Sequence, residues 1–354
     1  MLFSISWLWL SFTFSLKLVK FGVDYQDIGI IGVSLSLPFI PVSYLYRKSR
    51  MKHINFALKF PFAFLFAVST AFFILNIQLE LYIILLASSG IAQSFWWISS
   101  EIETGFMPTG GSAEKYAAAW AIPSGVFPIF AGIVIQFLGF DPVYVIVMIS
   151  SIVGFIIQPV DFKERKGKRE GTLDYVKLVP MILMGIAIGY TSFVLTPLMK
   201  NSGFSYIEIG ILIGIFGIAF SFGSIISHYS RKLSTDQFAW ITSIFSASYL
   251  LLLLNFSFMS IALALLMAGM GGSMGFSKIL SYIGESESPR NGVYYYETLF
   301  AIGFVTGSFG GDTLLSLFNY KYSLLLFLPS LAFSIFYFRR LALSGPKPAF
   351  SNVE

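Results

Sequence analysis

The sequence predicts an all-α integral membrane protein with about 12 transmembrane helices in two six-helix bundles. Three observations carry that prediction. The 354 residues are 56% hydrophobic and 12% charged, with a mean hydropathy of +0.78. Apolar stretches long enough to cross a bilayer recur along the whole chain. A short phrase, YQDIGIIG at 25–32, returns as YIEIGILIG at 206–214, half a chain length away.

Composition comes first because it bounds everything else. Soluble domains carry roughly 25% charged residues, so this chain lacks the polar surface to face water all round, and the lipid bilayer is its expected solvent. The absence of cysteine excludes disulfides and thiolate chemistry. The two histidines, His53 and His228, fall in basic loops, so no metal centre and no cofactor are expected. The excess of Lys and Arg is spread over loops, which argues for topology and against a nucleic-acid partner.

The apolar stretches place the spans in order: 1–19, 25–46, 54–77, 79–100, 116–138, 142–160, 177–198, 206–228, 237–256, 258–281, 293–317 and 321–340. The first, MLFSISWLWLSFTFSL, has no basic residue before Lys17 and no small-residue cleavage site, so it reads as a retained span and not a leader. Spans two and eight open on the repeated phrase. Ser205 with Glu208 fits a capping box and Asp24 with Asp27 is a weaker version of it. Their acids sit in the first turn, where the helix dipole favours negative charge. Span five is broken by Pro123 and Pro128, and spans three and four divide near Asn76–Glu80.

Lys and Arg set the orientation. With both termini in the cytoplasm, the inner loops hold all of the 23 Lys and Arg residues except Lys17, Lys20, Lys200 and Lys321. One missed span would invert every later loop, so the asymmetry supports the span count. The longest charged run, DFKERKGKREGTLDYVK, lies between spans six and seven. Hence the expected organisation is a six-helix bundle at 1–160, a cytoplasmic linker at 161–176, a second bundle at 177–340 and a cytoplasmic tail at 341–354. The expected protein is a multi-pass monomer of the cell membrane.

Each copy of the phrase runs through an apolar helix into a basic turn on the inner side, VSYLYRKSRMK and GSIISHYSRKLS. Sequence, topology and charge therefore repeat together, in the same orientation, which is one of the known plans of transporters. The second turn, with Gly223, Ser227, His228, Ser230, Arg231 and Lys232, resembles the Gly-x-x-x-Asp-Arg-x-Gly-Arg-Lys loop signature of the major facilitator superfamily. Gly223, Arg231 and Lys232 agree with it; Ser227 and His228 replace the Asp-Arg pair. In the first turn Arg47 and Arg50 match, with Tyr46 where the Asp would stand. The resemblance implies a parallel six-plus-six arrangement, close packing of span two on eleven and of five on eight, and a central cavity built from spans one, four, seven and ten.

Those spans offer Trp7, Trp9, Gln93, Trp96, Trp97, Tyr190, Thr191 and Ser273 as cavity candidates. Aromatics with a few hydrogen-bonding groups suit a small amphipathic or weakly polar solute, and Trp96 and Trp97, being adjacent, cannot both face it. No Arg lies mid-span, which argues against a fixed clamp for a phosphate or dicarboxylate. Charges inside a membrane need a reason to be kept. Glu297 is the deepest and is the candidate for a proton-coupled site. Glu101 and Lys278, at the inner ends of spans four and ten, are candidates for an ionic gate. Asp312 lies toward the outer end of span eleven.

The reading is a secondary transporter working by alternating access, with a small-molecule solute and protons as its partners. A membrane enzyme on lipid or isoprenoid substrates would have only the pairs Glu101/Glu103 and Glu285/Glu287 to work with, without histidine partners. A transporter-like sensor is the remaining alternative. No Walker-type phosphate loop is present.

Overall fold

In the computed structural model, residues 2–48, 54–74, 79–106, 112–157, 172–230 and 233–343 are described. They form helices and connecting turns. In chain order these are α1 (Leu2–Lys20), α2 (Tyr25–Arg47), α3 (Ile54–Ile74), α4 (Leu79–Phe106), α5 (Ser112–Leu138) and α6 (Asp141–Ile157). The second half of the chain adds α7 (Tyr175–Asn201), α8 (Tyr206–Tyr229), α9 (Thr235–Ser246), α10 (Phe258–Glu285), α11 (Pro289–Leu317) and α12 (Tyr320–Leu343). Among the described residues, nine of these are long and apolar enough to cross a membrane: α2, α3, α4, α5, α7, α8, α10, α11 and α12. The helix α6 is apolar but shorter.

The helices start and stop where local chemistry tells them to. Ser205 and Glu208 close a reciprocal capping box at α8, each taking the other's backbone N–H, at 3.2 and 2.8 Å. Asp24 does not cap α2 with its side chain, so the two copies of the phrase differ here. A helix that spans a membrane must satisfy its own backbone polar groups, and the Ser and Thr side chains do likewise. Ser69, Ser89 and Ser94, for example, each donate to the carbonyl one turn back. The helix α2 is interrupted at Leu37–Pro38, as a proline demands. Single π-helical turns sit inside α7 at Thr191–Leu195 and inside α11 at Thr306–Gly310; such turns concentrate at functional positions. Several ends run about a turn beyond the apolar stretches: α4 continues to Phe106 and α11 begins already at Pro289.

Small residues bring helices from opposite halves of the chain together. The helices α5 and α8 pack along their lengths, with Gly132 and Gly210 facing each other and a Cβ at Gly210 only 3.3 Å from the Gly132 Cα. A Cβ added at Gly217 would run into the backbone of Ser124 and Gly125. With no hydrophobic drive between helices in lipid, this close approach supplies van der Waals contact instead. Gly217→Val is therefore expected to destabilise the fold by about 2 kcal/mol through overpacking, read as a lowered melting temperature in detergent. The second such crossing is α2 on α11.

At the end carrying the basic turns, Arg47 of α2 donates to Asn291 Oδ1 of α11 at 3.0 Å, and its guanidinium lies over the rings of Tyr294 and Tyr295, at 5.1 and 5.7 Å. At the opposite end Asn201 of α7 donates to the Tyr25 hydroxyl of α2 at 2.6 Å. The two halves of the chain thus touch at both ends.

After the expected linker, of which residues 161–171 lie outside the described residues, the chain is fastened to the second half. Arg340 of α12 pairs with Asp174 at 2.6 Å and with Asp236 of α9 at 3.2 Å. Burial by itself would raise the Asp174 carboxyl. The hydrogen bonds from Arg340 and the Val176 N–H, with the charges of Arg340 and Lys177, outweigh it and hold Asp174 below its ordinary value. A carboxyl depressed in this way adds stability above its unfolded value, about 3.9, and loses it as pH falls through the folded one. Acidification below about pH 4 is expected to loosen this anchor in the wild type and to have no such effect in Asp174→Asn, measured by protease cleavage of the segment before Asp174. The gain is modest because both partners are about a third exposed.

Candidate functional site

A cavity of about 140 Å³ lies between the two halves. The helices α2, α4 and α5 line it from the first half, and α7, α10 and α11 from the second. Its walls are mostly aromatic. Trp97 stands edge-on to Trp120 at 5.5 Å, Trp120 packs on Phe276 at 5.6 Å, and Phe276 on Tyr296 at 5.8 Å. Ser36, Gln93 and Ser192 add hydrogen-bonding groups. A second space of about 100 Å³ lies next to it, lined by Ser15, Ser124, Thr191 and Thr196 among others. Trp120, Ile188 and Ser192 border both spaces.

Two acids meet in the larger cavity. Glu101 of α4 and Glu297 of α11 are each 2% exposed, and their carboxyl groups are hydrogen-bonded to each other. A hydrogen bond between two carboxyls needs a proton on one of them, because an ionised carboxylate only accepts. The Oε2 atom of each has no hydrogen-bond partner among the described residues. Tyr116, whose hydroxyl pairs with Ser100 at 2.8 Å, and Tyr296 lie within electrostatic reach of both acids. Among the described residues no Lys, Arg or His lines the cavity. The site can therefore hold a proton between two helices from opposite halves, in a buried, aromatic setting where electrostatic interactions are strong.

The matching family model is that of the Major Facilitator Superfamily, and it covers residues 115–294, half of the chain. The chain belongs to the major facilitator superfamily. It is thus a multi-pass membrane protein of a transporter family. No curated protein matches the chain.

Against this superfamily frame, the residues singled out in the sequence fall into three groups. Gln93 and Trp97 line the larger cavity, with Glu101 and Glu297, and Thr191 lines the smaller one. Trp96, Tyr190 and Ser273 do not. Trp96 turns to the other side of α4 and stacks on Phe3 at 4.5 Å. Tyr190 is fully buried, with its hydroxyl on Ser323 at 2.8 Å. Ser273 pairs with Ser224 at 2.5 Å between α10 and α8, beside Gly223, whose Cβ would meet the Met270 carbonyl. The third group, Arg50, Arg231, Lys232 and the side chains of Trp7 and Trp9, lies outside the described residues.

Each member of the expected Glu101–Lys278 gate meets another partner among the described residues. Glu101 meets Glu297, and Lys278 extends over the Phe238 ring of α9 at 5.6 Å. The reason is helical register. Phe276 faces the cavity, and a residue two positions on lies about 200° around the helix, so Lys278 points away. Arg47, matched to the loop signature in the sequence, bridges to Asn291 and two tyrosines of α11. The cavity residues that the sequence did not single out are chiefly Trp120, Ser192, Phe276 and Tyr296.

Proposed function

We propose that the chain is a proton-coupled secondary transporter of a small amphipathic solute, working by alternating access. Two six-helix bundles, residues 1–160 and 177–340, rock about the central cavity on the linker 161–176, with both termini in the cytoplasm. The observation that carries this reading is the Glu101–Glu297 pair. A proton shared by carboxyls from α4 and α11 ties protonation to the meeting of the two halves, because separating the bundles breaks the bond that the proton makes. The lining favours a neutral or cationic solute over an anion: it offers aromatic faces and acids, and no basic group. The contacts between the halves at both ends are the ones that rocking would have to break and remake. Loops rich in Lys and Arg support the assignment of the Arg47 end to the cytoplasm.

The test uses the purified chain in sealed proteoliposomes. A thermal-shift screen first finds a solute that stabilises it. An imposed pH gradient should then drive accumulation of that solute, with a matching change of internal pH read by a trapped dye. Solute movement indifferent to the gradient, with no proton flux, would overturn the coupling; no solute movement at all would overturn transport.

A further inference from the structure

A third acid lies buried at the other end of α11, roughly 22 Å from Glu297 at 1.5 Å rise per residue. Asp312 is fully buried, and neither of its carboxyl oxygens has a hydrogen-bond partner among the described residues. It sits against Gly29 of the repeated phrase: a Cβ there would be 3.0 Å from the Asp312 Cβ and 3.1 Å from its Oδ2. One turn nearer the cavity, Gly32 meets Ser308 in the same way.

The repeat makes this arrangement informative. Gly29 of α2 corresponds to Gly210 of α8, and α11 holds in the second half the place that α5 holds in the first. At the α5–α8 crossing Gly210 faces Gly132, and two small residues are enough to let the helices close. At the α2–α11 crossing the residue facing the glycine is an acid. Packing alone does not call for it.

The surroundings supply no counter-charge. Tyr25 of α2 and Tyr190 of α7 are the titratable groups in electrostatic contact with Asp312. Tyr25 takes its bond from Asn201, and Tyr190 pairs with Ser323. Asp27, in the first turn of α2, would add a second acid. At the start of α12, Tyr320 is half-buried and Lys321 is exposed. The other lysines of this end are engaged elsewhere: Lys17 over the Tyr144 ring, Lys20 over Phe140, and Lys200 on the Phe204 carbonyl. A carboxylate buried without cation or donor is strongly disfavoured, and the group takes up a proton instead.

We propose that Asp312 is a proton-binding site that controls closure of this end of the protein. The carboxyl holds a proton while α2 and α11 are packed at Gly29, and releases it to water when the two helices part. In the proposed orientation this end is extracellular, so an external proton would be what lets the outer face close. The inference stands apart from the proton coupling assigned to Glu101 and Glu297, since its experiment needs no solute and no transport.

The chain contains no cysteine, so spin labels can be placed on an otherwise unaltered protein. Gln26→Cys and Ser316→Cys put labels on exposed positions of α2 and α11 at this end. Double electron–electron resonance in nanodiscs would follow the distance between them from about pH 5 to about pH 9, above the range in which a water-exposed carboxyl titrates. The expected result is a short distance at low pH and a longer population that grows at least about threefold toward high pH. Asp312→Asn and Asp312→Gly should stay closed throughout, and Glu101→Gln with Glu297→Gln should keep the response. An unchanging wild-type distance would overturn the proposal, even if no variant folds. So would a response that survives in Asp312→Asn, or one that disappears with the inner pair.

Discussion

Glu297→Gln is expected to abolish gradient-driven accumulation of the solute while leaving its exchange across the membrane in place. Glutamine keeps the size of the side chain and can still hydrogen-bond to Glu101, so the contact between α4 and α11 remains. What it cannot do is take up and release a proton. Coupling requires that the loaded, closed state and the open state differ in bound protons, because a ligand shifts a conformational equilibrium only by its differential affinity for the two states. Removing the carrier of that proton should reduce uphill transport by at least about 100-fold, the scale on which positioned proton-transfer groups act. Counterflow needs no net proton movement and should stay within about threefold of the wild type, since it draws on solute binding and rocking alone. Glu101→Gln leaves Glu297 intact and should weaken coupling less, and the double variant should behave as Glu297→Gln does. Full accumulation by Glu297→Gln under an imposed gradient would remove the pair from the mechanism. Loss of counterflow as well would mean that the acids bind solute and are not specific to the proton.

The sequence made the apolar helices and their order legible because period and length are local properties. Each apolar stretch is bounded by its own polar ends, as with Ser205–Glu208 before α8 or Pro289 at the start of α11. The repeated phrase reached further, since Gly29 and Gly210 each mark a crossing between helices from opposite halves. Pairing across those crossings was less accessible. Glu101 and Glu297 both stood out as charges within apolar helices, yet nothing local says that they meet. Their contact depends on α4 running on to Phe106 and α11 beginning at Pro289, a turn beyond what hydropathy alone would end. Lys278 is a related case: its depth near the inner end of α10 was readable, but its angle about α10 was not readable without Phe276 as a reference. Trp120 was overlooked although a signal existed, a bulky indole among Ala117, Ala118, Ala119 and Ala121, where small residues otherwise prepare a close helix contact. The substrate stays out of reach of such arguments because aromatic walls accept many solutes.

Trp120→Ala is the second large effect expected, and it bears on what the cavity selects. The indole borders both spaces and packs on Trp97, Phe220 and Phe276, with ring centroids 5.5, 4.5 and 5.6 Å away. Truncating it should join the cavities of about 140 and 100 Å³ into one continuous space. The loss of these ring contacts and the void left behind should cost about 3 kcal/mol of stability, at the low end for a Trp-to-Ala change because part of the ring already faces open space. Selectivity should change in a definite direction. A wall that rejects a longer solute by steric overlap is removed, so solutes larger by a ring should gain affinity by about tenfold relative to the small ones that the wild type prefers. The check is a ligand-dependent melting series on wild type and Trp120→Ala with solutes graded in size. Trp120→Phe separates the two effects: it restores ring packing and most of the stability, but fills less space and should keep part of the altered preference. If both variants keep the wild-type size ranking while losing stability, Trp120 is packing alone and the partition between the two spaces has no role in selection. If instead the ranking shifts with the volume removed, the ring is the wall that the solute meets when both ends of the protein are closed.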